Sequence, residues 1–104
     1  GGHLILPTRE NKNSKSSLHL YVVRILSGAA KRFHVFTTLR ESGIGVQVHY
    51  IPVYWHPFYK ELGYTKGLCP KAEAFYESVL SLPIFPALQT SDQKKIIKNL
   101  LQVI

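Results

Sequence analysis

Between Leu18 and Leu26 the chain runs Leu-His-Leu-Tyr-Val-Val-Arg-Ile-Leu. This density of β-branched and aromatic residues predicts a strand. Ser27-Gly28 breaks it. From Ala29 to Ser42 the apolar spacing lengthens. Phe33, Phe36 and Leu39 or Arg40 recur at helical intervals, and Gly43 suits the left-handed stop beyond the helix end. The next segment, Ile44 to Tyr50, alternates. Ile44, Val46, Val48 and Tyr50 point one way, Gln47 and His49 the other, which predicts a second strand over 44–50. Pro52 ends regular pairing. Residues 51–69 read as a long aromatic loop, with a helical turn near Phe58 to Leu62. Pro70 suits the first position of a helix whose stripe is Ala72, Phe75, Tyr76, Val79 and Leu80. Ser81 to Pro86 forms a short extended piece held open by its prolines. Thr90-Ser91-Asp92-Gln93 has the capping-box pattern, and the helix it opens would bury Ile96, Ile97, Leu100, Leu101 and Ile104.

The order strand, helix, strand, loop, helix, short strand, helix predicts a small α/β (α+β) domain of two layers. A sheet of three or four strands would carry helices on one face and leave the other free to dock. Residues 7–17 are polar and rich in Asn, Ser and Lys. The reading therefore divides the chain into residues 1–15, a cloning remnant or linker and lead-in, and residues 16–104, the domain proper. A chain of 104 residues, 45% of them hydrophobic, supports one core and no second one. No apolar run approaches the ~20 residues that span a membrane, and Gly1-Gly2-His3 does not begin a signal peptide. A cytoplasmic setting without membrane contact is expected. The chain contains no methionine, which points to a fragment of something longer. Cys69 is the single cysteine, so no internal disulfide is expected.

Thirteen Lys and Arg against six Asp and Glu give a net charge of +7. The basic residues are scattered, as on a solvated surface or on one missing its partner. Aromatic and basic residues interleave from Tyr54 to Lys60, yet no nucleic-acid-binding signature accompanies them, and no nucleic-acid partner is expected. Five histidines (His3, His19, His34, His49 and His56) lack the spacing of a zinc motif, so no metal site is expected. Neither a nucleophile elbow nor a phosphate-cradling glycine motif is present.

The densest chemistry lies in His49 to Tyr59, with two imidazoles and three phenols leaving a strand end. Such groups can hydrogen-bond a polar ligand while their rings give apolar contact. They could equally pack on a neighbouring domain. His49, Tyr50, Tyr54 and His56 are the candidate substrate-binding residues.

Gly43 to Pro52 resembles the "GI…VHY.P" segment of the DegT/DnrJ/EryC1/StrS sugar aminotransferases. Pro57-Phe58-Tyr59 is similar to their "P-aromatic-Tyr", Pro70 to Glu73 to their "P.AE" helix start, and Ser81 to Pro86 to their "SLP..P". Thr90 to Gln93 fits their closing helix, and Leu18 to Arg24 the strand that opens their small domain. The resemblance runs from about residue 16 to the end. It implies the C-terminal small domain of a fold-type I aminotransferase dependent on pyridoxal phosphate. The family works as a homodimer and moves an amino group from L-glutamate to a nucleotide-linked keto sugar. "VHYIPVY.HPFY" looks closest to the members that aminate C4 of a UDP-linked 4-keto-6-deoxy-hexosamine, as in pseudaminic acid and surface polysaccharide synthesis. Some members carry histidine where Tyr54 stands. In the family the Schiff-base lysine, the acid that pairs with the pyridine nitrogen and the phosphate anchors come from the large domain. The resemblance therefore assigns no catalytic or cofactor-binding residue here, and turns His49, Tyr50 and their loop toward the substrate cleft. Two other readings stand beside it: a regulatory relative that has lost the lysine, and a free-standing basic binding module.

Overall fold

A computed structural model describes residues 3–8 and 11–104. Strand β1 (Leu4–Ile5) is followed by β2 (Tyr21–Ile25) and helix α1 (Ala29–Glu41). A 3-10 turn (Val53–Trp55) leads to α2 (Pro57–Glu61), α3 (Pro70–Ser78), β3 (Val79–Leu82) and α4 (Thr90–Val103). The sheet order is β1-β2-β3, antiparallel throughout. Val22 pairs with Ser81, Val23 with Leu80 and Arg24 with Val79.

Alternation along β2 sends Val23 and Ile25 to one face, where Leu80 of β3 joins them. Helices α1 and α4 close over that face with Val35, Leu39, Ile96 and Leu100, and Ile44 and Val46 complete the core. Of the expected layering, a sheet of three strands forms with α1 and α4 on one face, while α3 meets Arg24 of the other face through Phe75 and Ser78. Leu4–Ile5, left in a lead-in by the sequence reading, adds an edge strand. Leu4 opposes Ile25 and packs against the core.

Three helical stripes need correction. In α1 the buried line runs through Val35 and Leu39, four residues apart. Phe33 lies about 120° round the helix from Leu39 and is 65% exposed, while Phe36 sits at the margin of the core. The α3 stripe fails because the helix stops at Ser78. Val79 and Leu80 enter the β3 ladder instead, and Phe75 is exposed. In α4, Ile96 and Leu100 are buried and Ile104 is half-buried. Ile97 and Leu101 face outward, each one step (about 100°) further round. They line an apolar hollow of about 370 Å³ with Leu4, Leu6 and Tyr21.

The capping box does not form either. Helix α4 starts one residue too early for it, with Thr90 already helical, Gln89 at the N-cap and no side-chain cap. Its first turn closes instead by the Gln93 amide donating to the Gln89 carbonyl at 3.0 Å. Gly43 does behave as expected. At φ 82° it ends α1, with its N–H donating to the Arg40 carbonyl (3.0 Å) and the Ile44 N–H to the Leu39 carbonyl (3.0 Å).

The predicted strand over 44–50 shrinks to a single bridge, Gln47 with Ser81. Two hydrogen bonds and one missing donor explain the loss. The Val46 N–H donates to the Ile44 carbonyl (2.9 Å), curling the chain round Gly45. Arg40 Nε donates to the Val46 carbonyl (2.9 Å). The rung beyond Ser81 falls on Pro83, which has no N–H to donate.

The core makes a direct prediction. Leu100→Ala should cost about 2–5 kcal/mol in urea unfolding, whereas Leu101→Ala should stay near ~0.5 kcal/mol. Equal losses would mean that the facing of α4 is wrong.

Candidate functional site

The alternation expected of 44–50 survives without its ladder as far as His49 and fails at Tyr50, which was expected beside Val48 and is 68% exposed. Ile44 and Val46 enter the core and Val48 packs against it, which turns Gln47 and His49 to the opposite face. That face also carries Val22, Arg24, Val79 and Ser81, the residues between the core-facing positions of β2 and β3. Ser81 is held at both levels. Its amide donates to the Gln47 carbonyl at 2.8 Å, and its carbonyl accepts from the Gln47 amide at 3.1 Å. Its buried hydroxyl shares a 2.9 Å hydrogen bond with His49 Nδ1. The imidazole is half-buried and fixed in orientation, and Nε2 has no protein partner among the described residues. Tyr50 is exposed, its ring 4.5 Å from that of His49 at a 56° tilt.

Tyr54 takes a different place. Its hydroxyl donates to Glu73 Oε2 on α3 and accepts from the Cys69 amide (3.1 Å). The same carboxylate accepts the Gly67 amide, at 3.0 Å on Oε1 and 2.7 Å on Oε2. One phenol and one carboxylate thus tie both ends of the 54–69 loop to the first turn of α3. Gly67 takes a left-handed φ of 95° there, which brings its N–H to the carboxylate. Beside this clamp Lys66 Nζ lies 4.4 Å from the Trp55 ring centroid, and Trp55 meets Tyr76 edge-on at 5.5 Å. His56 is exposed at the N-cap of α2, with no side-chain cap bond. Of the four candidates, His49 and Tyr50 come together, Tyr54 acts as a loop tie, and His56 stands apart in solvent.

Three participants escaped the sequence reading. Ser81 and Arg24 look like ordinary strand residues until register puts them beside His49. Glu73 was read only as part of a helix-start motif, and its partner lies 19 residues away.

Among the described residues no lysine is buried, so none offers the enclosed amine that a Schiff base with pyridoxal phosphate needs. Lys31 donates to the Val103 carbonyl (2.7 Å), and the other lysines among the described residues are exposed. Among the described residues no group of three His, Cys, Asp or Glu could hold a metal ion, and no helix is long and apolar enough to cross a membrane.

The clamp titrates from both ends. The Tyr54 hydrogen bond holds the Glu73 carboxyl below its ordinary 4.5, aided by the Gly67 and Cys69 amides and Lys66 and opposed by burial. Burial raises the Tyr54 hydroxyl above its ordinary 10.0, reinforced by its bond to Glu73. A lowered folded carboxyl stabilises above its unfolded value and loses that contribution as pH falls through the folded one. A raised phenol stabilises below its unfolded value and loses that contribution as pH rises through the folded one. Urea midpoints between about pH 3 and 6 should therefore fall more steeply for the native chain than for Glu73→Gln. Parallel curves would remove the clamp from the account.

Comparison with known proteins follows the same lines. The model of the DegT/DnrJ/EryC1/StrS aminotransferase family matches residues 1–101. The UDP-4-amino-4,6-dideoxy-N-acetyl-β-L-altrosamine transaminase of Campylobacter jejuni is 36% identical over 92 residues, covering 86% of this chain and 24% of the relative. A pleiotropic regulatory protein of Geobacillus stearothermophilus is 32% identical over 100 residues, covering 95% of this chain and 26% of the relative. Among solved structures, a Streptococcus pneumoniae protein named as a sugar aminotransferase, in its PMP form, superposes with a TM-score of 0.90. It shares 29% identity, covering 97% of this chain and 26% of that one. The chain thus spans about a quarter of the length of the relatives it matches. With nearly its whole length matched and the three-stranded sheet and its helices superposed, this chain belongs to the DegT/DnrJ/EryC1/StrS aminotransferase family.

Proposed function

We propose that this chain is the C-terminal small domain, residues 16–104 with β1 as its added edge, of a pyridoxal-phosphate-dependent sugar aminotransferase. The whole protein moves an amino group from L-glutamate to C4 of a UDP-linked 4-keto-6-deoxy-hexosamine. It works as a homodimer in the cytoplasm and serves surface polysaccharide or glycan synthesis. The likeness to the altrosamine transaminase over 86% of the chain supports the substrate class. The cofactor's anchors lie outside these 104 residues, and bound pyridoxal phosphate supplies the amino-group carrier.

The observation that carries the reading for this chain is His49. Ser81 fixes the ring through Nδ1, which leaves Nε2 free to donate to or accept from a sugar hydroxyl or a phosphate oxygen. Tyr50 adds a ring face beside it. Tyr54 serves indirectly by holding the loop. His56 reaches the substrate only if α2 lines the cleft of the assembled protein. A second reading, a regulatory member of the family, is favoured by the name of the Geobacillus stearothermophilus relative.

Steady-state kinetics of the full-length protein separate the two. Amino transfer from L-glutamate to the keto sugar is expected of the first and not of the second. His49→Ala should weaken use of the sugar nucleotide several-fold, as loss of a contact worth about 0.5–1.5 kcal/mol implies, and tens-fold where the contact meets a charged phosphate. A cofactor titration should remain nearly unchanged. Unchanged kinetics with a lowered melting temperature would reduce His49 to a packing residue. The isolated chain should neither hold pyridoxal phosphate nor transfer an amino group, and a borohydride-trapped Schiff base on one of its lysines would contradict that.

A further inference from the structure

The sheet face that presents His49 also carries a cation with no carboxylate partner among the described residues. Arg24 lies between Val23 and Ile25, both buried in the core, so its side chain leaves on the opposite face. It is half-buried and held in one orientation. Nε donates to Ser78 Oγ at 2.8 Å, and the guanidinium carbon sits 5.6 Å from the centroid of the Phe75 ring. Ser78 Oγ is fixed in turn, donating to the Phe75 carbonyl at 3.0 Å. Both Nη groups lack a hydrogen bond among the described residues, and neither is buried, so both reach solvent. A guanidinium tethered at Nε and stacked on a ring offers its Nη pair as a preset fork, the geometry that grips two oxygens of a carboxylate or phosphate.

Register places this fork relative to His49. Arg24 pairs with Val79. Gln47 bridges Ser81, two residues along β3 from Val79, from the other side, and His49 bonds the Ser81 hydroxyl. Arg24 and His49 therefore share one face, on either side of β3, with Val79 and Ser81 as their respective neighbours on that strand. Val79 is fully buried, and Ser81 anchors the imidazole.

We propose that Arg24 binds the anionic group of a substrate through its Nη pair, while His49 Nε2 engages a second polar group of the same molecule. This rests on the aminotransferase reading above and adds an anion subsite to it. The anion is a carboxylate of the amino donor or a phosphate of the sugar nucleotide. Arg32 supplies a control, because it is built in the same way away from this face. Its Nε donates to the Glu77 carbonyl at 3.3 Å, and it stacks on Tyr76 at 5.2 Å.

The test is calorimetric titration of the full-length protein and its Arg24→Gln, Arg24→Lys and Arg32→Gln variants with two unreactive probes, glutarate and uridine diphosphate. Arg24→Gln should weaken one probe by about ten- to hundred-fold, as loss of a charge-assisted pair implies. The other probe should change less than about two-fold, and Arg32→Gln should leave both within about two-fold. Sensitivity of glutarate assigns the amino donor's carboxylate, and sensitivity of uridine diphosphate the sugar nucleotide's phosphate. Unchanged affinity for both probes in Arg24→Gln, or equal weakening by Arg24→Gln and Arg32→Gln, overturns the proposal. If Arg24→Gln fails to fold, Arg24→Lys decides: a several-fold loss for one probe supports the fork, and native affinity for both removes it. Native protein that binds the probes in an Arg24-dependent way but transfers no amino group would sink the aminotransferase reading and leave this one standing.

Discussion

The site depends on one row of the sheet, in which Ser81 is pinned between Val22 of β2 and Gln47 beyond it. Its backbone exchanges both hydrogen bonds with Gln47, and its hydroxyl meets His49. A buried hydroxyl without such a partner would carry an uncompensated desolvation cost of about 1–3 kcal/mol. The bond to His49 therefore satisfies Ser81 and aims the imidazole together. Without the Gln47 bridge the 44–50 segment would have no backbone tie to the sheet, and the alternation that turns His49 from the core would lose its reference plane.

Around that row the domain divides its faces by chemistry. The helical side is apolar, filled by Val23, Ile25, Leu80, Val35, Leu39, Ile96 and Leu100. The opposite side carries Gln47, His49, Ser81 and Arg24. The aromatic loop is held beside it by the Tyr54–Glu73 tie to α3. Tyr50, Val53, Phe58, Leu62 and Leu68 nevertheless remain exposed along the loop. Singly such residues are ordinary, but a run of them leaving the sheet edge fits a surface shaped to meet more protein.

Among the described residues the arginines are held by neutral oxygens and aromatic faces. Arg24, Arg32 and Arg40 each donate Nε to a nearby oxygen and lie over Phe75, Tyr76 and Phe36 respectively. Stacking retains the charge and keeps part of each guanidinium near water, where desolvation is small. Two of the three brace α3, the helix that ties down the aromatic loop. The net charge of +7 is thus largely a surface property, with Arg24 the member that shares a face with His49.

The sequence by itself determined the elements with strong local signals. The β-branched run of β2, the proline start of α3, the glycine stop of α1 and the apolar repeat of α4 all follow from nearest-neighbour chemistry. Alternation from Val46 to His49 also fixed which side His49 would face, but it did not carry on to Tyr50, which lies exposed beside the imidazole. The ordered motifs from Gly43 to Gln93 identified the family. Tertiary structure alone decided the rest. Whether 44–50 became a strand depended on a curl at Gly45, on Arg40 taking a carbonyl, and on Pro83 lacking a donor, none of them visible in the segment's own pattern. The phase of α1 turned on which residues met β2 and β3, which placed Val35 rather than Phe33 inside. Tyr54 read as a ligand contact because it lies in the polar aromatic stretch that leaves the strand end; folding gave its hydroxyl Glu73. Hydrophobic periodicity is a local property, but a hydrogen-bond partner is a long-range one, and the candidate site is built from the second kind.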